Sequence, residues 1–128
     1  MEQGHLLDSN VVIDFLSGVL PADGMRFVSE IVNVVPQMSA MSKIELLRFT
    51  LTPANAQVLE DFIKESVVLP IDDNVINETI RLCKGNKTKI PDAVIAATCI
   101  VHRLILVTRN VKDFRHFNGL QTSNPWEL

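Results

Sequence analysis

Two successive segments between residues 90 and 107 have almost no polar face, and together they demand a sheet covered on both sides. The run Ala93-Val94-Ile95-Ala96-Ala97-Thr98-Cys99-Ile100-Val101, opened by Pro91-Asp92, predicts a helix that is apolar nearly all round and so buried on most of its sides. Leu104-Ile105-Leu106-Val107 follows as a continuous apolar strand, the pattern of the interior of a parallel sheet.

The rest of the chain repeats this alternation. Leu6-Leu7 ends a brief strand before Asp8, and residues 11–16 read as a helix stopped at Gly18. A second helix is expected over 21–32, an extended run over 34–38, and a helix over about 42–51. Pro53 opens another helix with Ala56, Leu59, Phe62 and Ile63 on its apolar side, and residues 67–71 return as a strand. Asp72 or Asp73 caps a helix over 74–83, and 84–89 form a polar, basic loop. Such alternation predicts a three-layer α/β/α sandwich around a mainly parallel sheet. At 128 residues, 47% hydrophobic, the chain suits a single domain spanning 1–128.

A net charge of −3 excludes a broadly basic surface, so any nucleic-acid substrate would need local positive charge from metal ions or a confined patch. Cys83 and Cys99 lie in apolar helical patterns without metal-ligand spacing and read as reduced core residues. With no signal-type opening and no membrane-length apolar run, a soluble, cytoplasmic protein is expected.

Four acids stand at segment ends beside apolar sequence: Asp8, Glu45, Asp92 and Asp113. An unpaired carboxylate there is costly unless it gains a partner such as a metal ion. In open α/β sheets, ligands collect at the carboxyl ends of the strands, where strand order reverses. Asp8 and the segment 108–113 follow strands directly, and Asp92 reaches the same edge from the first turn of its helix. Glu45, with Met41 and Phe49 a turn away on either side, falls beside a buried stripe. Converging carboxylates of this kind suit metal-assisted phosphodiester hydrolysis with Mg²⁺ or Mn²⁺.

In order, Leu7-Asp8-Ser9-Asn10-Val11-Val12-Ile13, Ser42-Lys43-Ile44-Glu45-Leu46-Leu47, Ile90-Pro91-Asp92-Ala93 and Leu106-Val107-Thr108-Arg109-Asn110-Val111-Lys112-Asp113-Phe114 resemble the four acidic motifs of PIN-domain nucleases. The last is similar to the closing motif of the VapC-type toxins of that family. The resemblance covers nearly the whole chain. It implies an Mg²⁺-dependent endoribonuclease, the toxin of a toxin–antitoxin pair, with RNA as substrate, an antitoxin protein as partner and a homodimeric state. Carried over residue by residue, Asp8, Glu45, Asp92 and Asp113 are the metal-binding acids, supported by Asn10, Thr108 and Asn110. Many relatives have Asp where Asn110 stands, which leaves open whether Asn110 or Asp113 contacts the ion.

Each acid also has an ordinary structural reading. Asp92 suits the first turn of a helix through the macrodipole, Asp8 suits an N-cap, Glu45 could pair with Arg48, and Asp113 could serve a turn. Their joint order favours catalysis. Asp14, Asp23, Asp61, Asp72 and Asp73 read as polar-face or cap residues, and His5, His102 and His116 lack ligand spacing. Arg109, with Lys84, Lys87, Lys89, Lys112 and Arg115, reads as solvated charge, and Trp126 as packing for the tail. A haloacid-dehalogenase-type phosphatase would need an acid where Asn10 stands. A PIN-like protein that binds without catalysis is the remaining alternative.

Overall fold

The computed structural model describes residues 3–128. In chain order it comprises β1 (His5–Leu7), α1 (Ser9–Leu16), α2 (Ala22–Val34), β2 (Gln37–Ser39), α3 (Ala40–Leu47), α4 (Pro53–Lys64) and β3 (Val67–Leu69). After these come α5 (Asp73–Lys84), α6 (Ile90–His102), β4 (Ile105–Val107), α7 (Val111–Phe114) and β5 (Thr122–Ser123).

Every strand pairing is parallel. β4 lies between β1 and β5 with Leu6 opposite Leu106 and Leu7 opposite Val107, while β2 pairs with β3. β2 packs beside β1, so the two ladders run on as one surface in the order β3-β2-β1-β4-β5. The chain leaves β1 in one direction and returns to β4 on its other side, which makes the β1/β4 crevice the switch point of the sheet.

Alternation along each strand feeds two cores. Leu6 and Leu106 face the layer of α5 and α6, with Ala93–Cys99, Val75, Leu82 and Phe114. Leu7 and Val107 face the opposite layer with Val11, Val12, Val28, Met38 and Leu59. All four strand residues are fully buried, each contributing roughly 2 kcal/mol of apolar burial. The result is the expected three-layer sandwich, and α6 is buried on every side from Ala93 to Cys99.

The local signals hold with small shifts. Asp72 accepts from the backbone of Val75 as the cap of α5, and Thr52 caps α4 with Pro53 at its start. Gly18, at φ 70, follows α1 in the left-handed region. The third helix ends at Leu47 rather than near 51, because Pro53 holds Thr52 extended and the link before it leaves the helix. Phe49 consequently stands half exposed rather than in a buried stripe. The short elements α7 and β5 are additional to those expected from sequence.

Candidate active site

Asp8 is the first residue past β1, and its backbone N–H extends the ladder to the Val107 carbonyl (3.0 Å). It caps α1 by accepting from the Ser9 N–H (2.8 Å), so the ordinary reading of Asp8 as a cap is also true. Its second oxygen accepts from the Thr108 hydroxyl at 2.8 Å and from the Asn10 amide at 3.2 Å. Thr108 follows β4 directly, so two adjacent parallel strands deliver acid and hydroxyl to the same place.

The supporting groups are fully used. Thr108 Oγ1 donates to Asp8 and accepts from Asn10 Nδ2 (3.4 Å) and from the Asn110 N–H (3.1 Å). Asn10 Oδ1 accepts from the Arg109 N–H at 3.1 Å. Asn10 and Thr108 thus meet Asp8 directly, whereas Asn110 acts through its backbone and leaves its side chain at an exposed position.

Glu45, on α3, comes to the rim of the same site, where the Ser9 hydroxyl donates to it at 3.5 Å. Asp92 stands in the first turn of α6 behind Pro91. Burial first, then the charges of Asp8 and Asp92, raises the Glu45 carboxyl above its ordinary range, with Arg48 pulling the other way. Burial also dominates for Asp8, where Asp92 adds to the rise and the three donors oppose it. Asp92 is raised by burial and then by Asp113, against Lys89 and His116. Asp113 itself is exposed on α7, where its charge reaches Asp92.

Three partly or wholly buried acids therefore share one edge, where the charge of Asp92 disfavours ionisation of Asp8 and Glu45, and that of Asp8 disfavours Glu45. Among the described residues none of these three forms an ion pair, Arg48 included. No group of three or more Asp, Glu, His or Cys side chains among the described residues is set to hold an ion as it stands. The donor set fits a hard divalent cation: it is all oxygen, anionic and short of positive charge. Cys99 lies buried nearby with its thiol pushed well up by burial, and is an inert core residue.

Asp14 corrects the sequence reading. It is no polar-face residue but is 93% removed from solvent, since its relative exposure is 7%. Its Oδ2 accepts from Arg109 Nη1 (3.1 Å) and Trp126 Nε1 (3.0 Å). Arg109 is accordingly half-exposed but paired, not simply solvated, and Trp126 packs the tail as expected. Asp14 lies three residues after buried Val11, on the inner side of α1, while Ile13 beside it is 41% exposed.

The PIN-domain family model matches residues 5–120. Curated protein sequences give no match. Among solved structures, a toxin–antitoxin complex from Klebsiella pneumoniae is 26% identical, covering 98% of this chain and 100% of that one at a TM-score of 0.76. DNA-bound VapBC from Salmonella typhimurium is 22% identical, covering 97% and 99% at a TM-score of 0.80. FitAcB from Neisseria gonorrhoeae is 24% identical, covering 96% and 99% at a TM-score of 0.74. With the four acidic motifs in order, a doubly wound parallel sheet and acids at its switch point, the chain belongs to the PIN-domain family.

Proposed function

We propose that this chain is a metal-dependent endoribonuclease, the toxin of a toxin–antitoxin pair acting in the cytoplasm. The observation that carries this reading is the gathering of Asp8, Glu45 and Asp92 at the β1/β4 switch point, raised in pKa and without ion-pair partners among the described residues. Asp8, Glu45, Asp92 and Asp113 would hold the cation, Mg²⁺ or Mn²⁺. When bound, such an ion supplies Lewis-acid charge to a phosphodiester and acidifies a water molecule.

The chain's own residues prepare the site. Thr108, Asn10 and the Ser9 N–H fix the Asp8 carboxylate in one orientation. Glu45 and Asp92 add negative charge from α3 and α6, two helices in contact with each other, and Asp113 adds more from α7. Lys89, whose charge acts on Asp92, would be the first candidate to meet an RNA phosphate beside the acids.

The likeness to the Klebsiella pneumoniae toxin–antitoxin complex supports a protein partner. An open apolar groove lined by Ile13, Leu16, Leu46, Phe49, Leu51 and Val58 suits an amphipathic segment of an antitoxin. A basic side chain from that partner, placed among the carboxylates, would inhibit by occupying the cation's place. Exposed Ile76 and Ile80 of α5, with Ile90, support homodimerisation.

The test is direct. The purified chain should fragment mixed RNA in millimolar Mg²⁺ or Mn²⁺, and either EDTA or Asp8→Asn should stop it. The alternative is a PIN-fold protein that binds without cleaving. Absence of metal-dependent cleavage by the wild-type chain would establish that alternative.

A further inference from the structure

A continuous line of hydrogen bonds leads from the C-terminal segment to Asp8. Residues 121–126 run along the molecule as a strap: the Gln121 and Ser123 carbonyls accept from the Leu106 and Thr108 N–H groups, and β5 pairs with β4. The strap is seated closely on α2, where a Cβ at Gly24 would lie 1.9 Å from the Pro125 carbonyl oxygen. Asn124 Oδ1 accepts from the Trp126 N–H at 2.9 Å, holding the turn that presents the indole. Trp126 Nε1 and Arg109 Nη1 then meet on one oxygen of Asp14. Arg109 is next in sequence to Thr108, and its backbone N–H is held by Asn10, which also binds Asp8.

We propose that Asp14 is a positioning residue: by anchoring Arg109 and Trp126 together, it fixes the Thr108–Asn110 turn and through it the orientation of the Asp8 carboxylate. The consequence for cation binding rests on the function proposed above, whereas the consequence for the turn does not. Two features separate this role from generic packing. Asp14 binds two groups that are distant in sequence, at positions 109 and 126, and the first belongs to the residue next in sequence to Thr108, whose hydroxyl donates to Asp8. The anchored guanidinium also remains about half exposed, so the ion pair adds orientation more than burial.

Loss of the anchor should loosen the turn without unfolding the sheet. Supporting groups behind metal ligands typically change metal affinity by about 10- to 100-fold, and that is the effect expected for Asp14→Ala. Asp14→Asn keeps an acceptor for the indole and should fall between it and wild type. Trp126→Phe keeps an aromatic ring in the core and removes the donor together with the indole's five-membered ring, giving a smaller change in the same direction.

The experiment is amide hydrogen exchange on the full chain, read beside Mn²⁺ titration of the same proteins. In Asp14→Ala the Ser9, Arg109 and Asn110 amides should lose protection while Leu106 and Asp8, in the ladder, keep theirs. Mn²⁺ binding should weaken with them. Unchanged protection at those amides would overturn the positioning role whatever the activity. Lost protection with wild-type Mn²⁺ affinity would overturn its extension to the cation site. A wild type that binds no Mn²⁺, combined with a loosened turn in the variant, would refute the proposed function and leave the positioning role standing. Should Asp14→Ala fail to fold, Asp14→Asn and Trp126→Phe decide by the same amides.

Discussion

Helix α1 carries two buried carboxylates that solve the same problem in opposite ways. Asp8 at its cap and Asp14 six positions later, about 9 Å along the axis, are 4% and 7% exposed. Asp14 receives a guanidinium and an indole N–H. Asp8 receives three neutral donors and the repulsion of Asp92, and its pKa is raised. A buried acid given a cation by its own chain serves the fold. One given orientation without countercharge carries a standing cost in stability, which under the proposed function a cation from outside would offset.

The sharpest way to break this contrast is to remove one charge at a time. Asp8→Asn should abolish cleavage by roughly a thousandfold, since metal-site charge stabilisation is worth several kcal/mol and each 1.36 kcal/mol is tenfold. It should raise the melting temperature of the cation-free protein, because the buried charge it removes is unpaired. Asp14→Asn should do the reverse, lowering stability by about 1 kcal/mol through the lost ion pair. Cleavage assays and thermal melts on both variants check this. Melting shifts of equal sign would dissolve the distinction.

Adding a divalent cation is the complementary test. Millimolar Mg²⁺ or Mn²⁺ should stabilise wild type by about 2.7 kcal/mol at a hundredfold excess over the dissociation constant, on the order of 10 °C. Asp8→Asn should show little of this. Scanning calorimetry with and without EDTA measures it, and an unmoved wild-type transition would mean that the acids do not form a metal site.

How far this contrast was legible in the sequence differs for its two members. Asp8 was visible because an apolar strand stops at it, and Thr108 because the continuous apolar run 104–107 stops at it. Parallel pairing then brings the two ends together. Asp14 was hidden by its context, since Val11-Val12-Ile13-Asp14-Phe15 reads as a helix with one polar residue turned outward. Its partners come from 95 and 112 positions away, and no local pattern reports a contact at that separation. The strap was equally hidden: β5 has two polar residues and is a strand only because β4 offers it an edge. Phe49 was misplaced because helical periodicity does not say where a helix stops.

The pH dependence follows from the same acids. Asp8, Glu45 and Asp92 are each raised above the ordinary carboxylate values of 3.8, 4.5 and 3.8, so between those values and the raised ones the folded state binds more protons than the unfolded. Stability from these groups therefore falls as pH rises through the raised values and recovers as it is lowered. Cation-free wild type should gain melting temperature as pH is lowered toward the ordinary carboxylate range. Asp8→Asn should show a shallower gain, and saturating Mg²⁺ should remove the gain by favouring the charged forms. A wild-type profile that declines steadily below neutrality would contradict the repulsion on which the comparison rests.

The smallest expected effect concerns a third kind of buried polar group. Ser42, on α3 one turn before Glu45, is fully buried, and its hydroxyl is the only buried side-chain oxygen or nitrogen among the described residues without a hydrogen-bond partner. Where Asp14 has a charge and Asp8 has donors, Ser42 Oγ has neither. Its burial should cost about 1 kcal/mol, so Ser42→Ala should leave stability unchanged or raise it by up to about that amount. Urea unfolding of the two proteins checks the sign. If Ser42→Ala weakens Mn²⁺ binding while leaving urea stability intact, Ser42 belongs with Asp8 as a group held ready for the site, and the line between structural and prepared polar groups runs through α3 as well as α1.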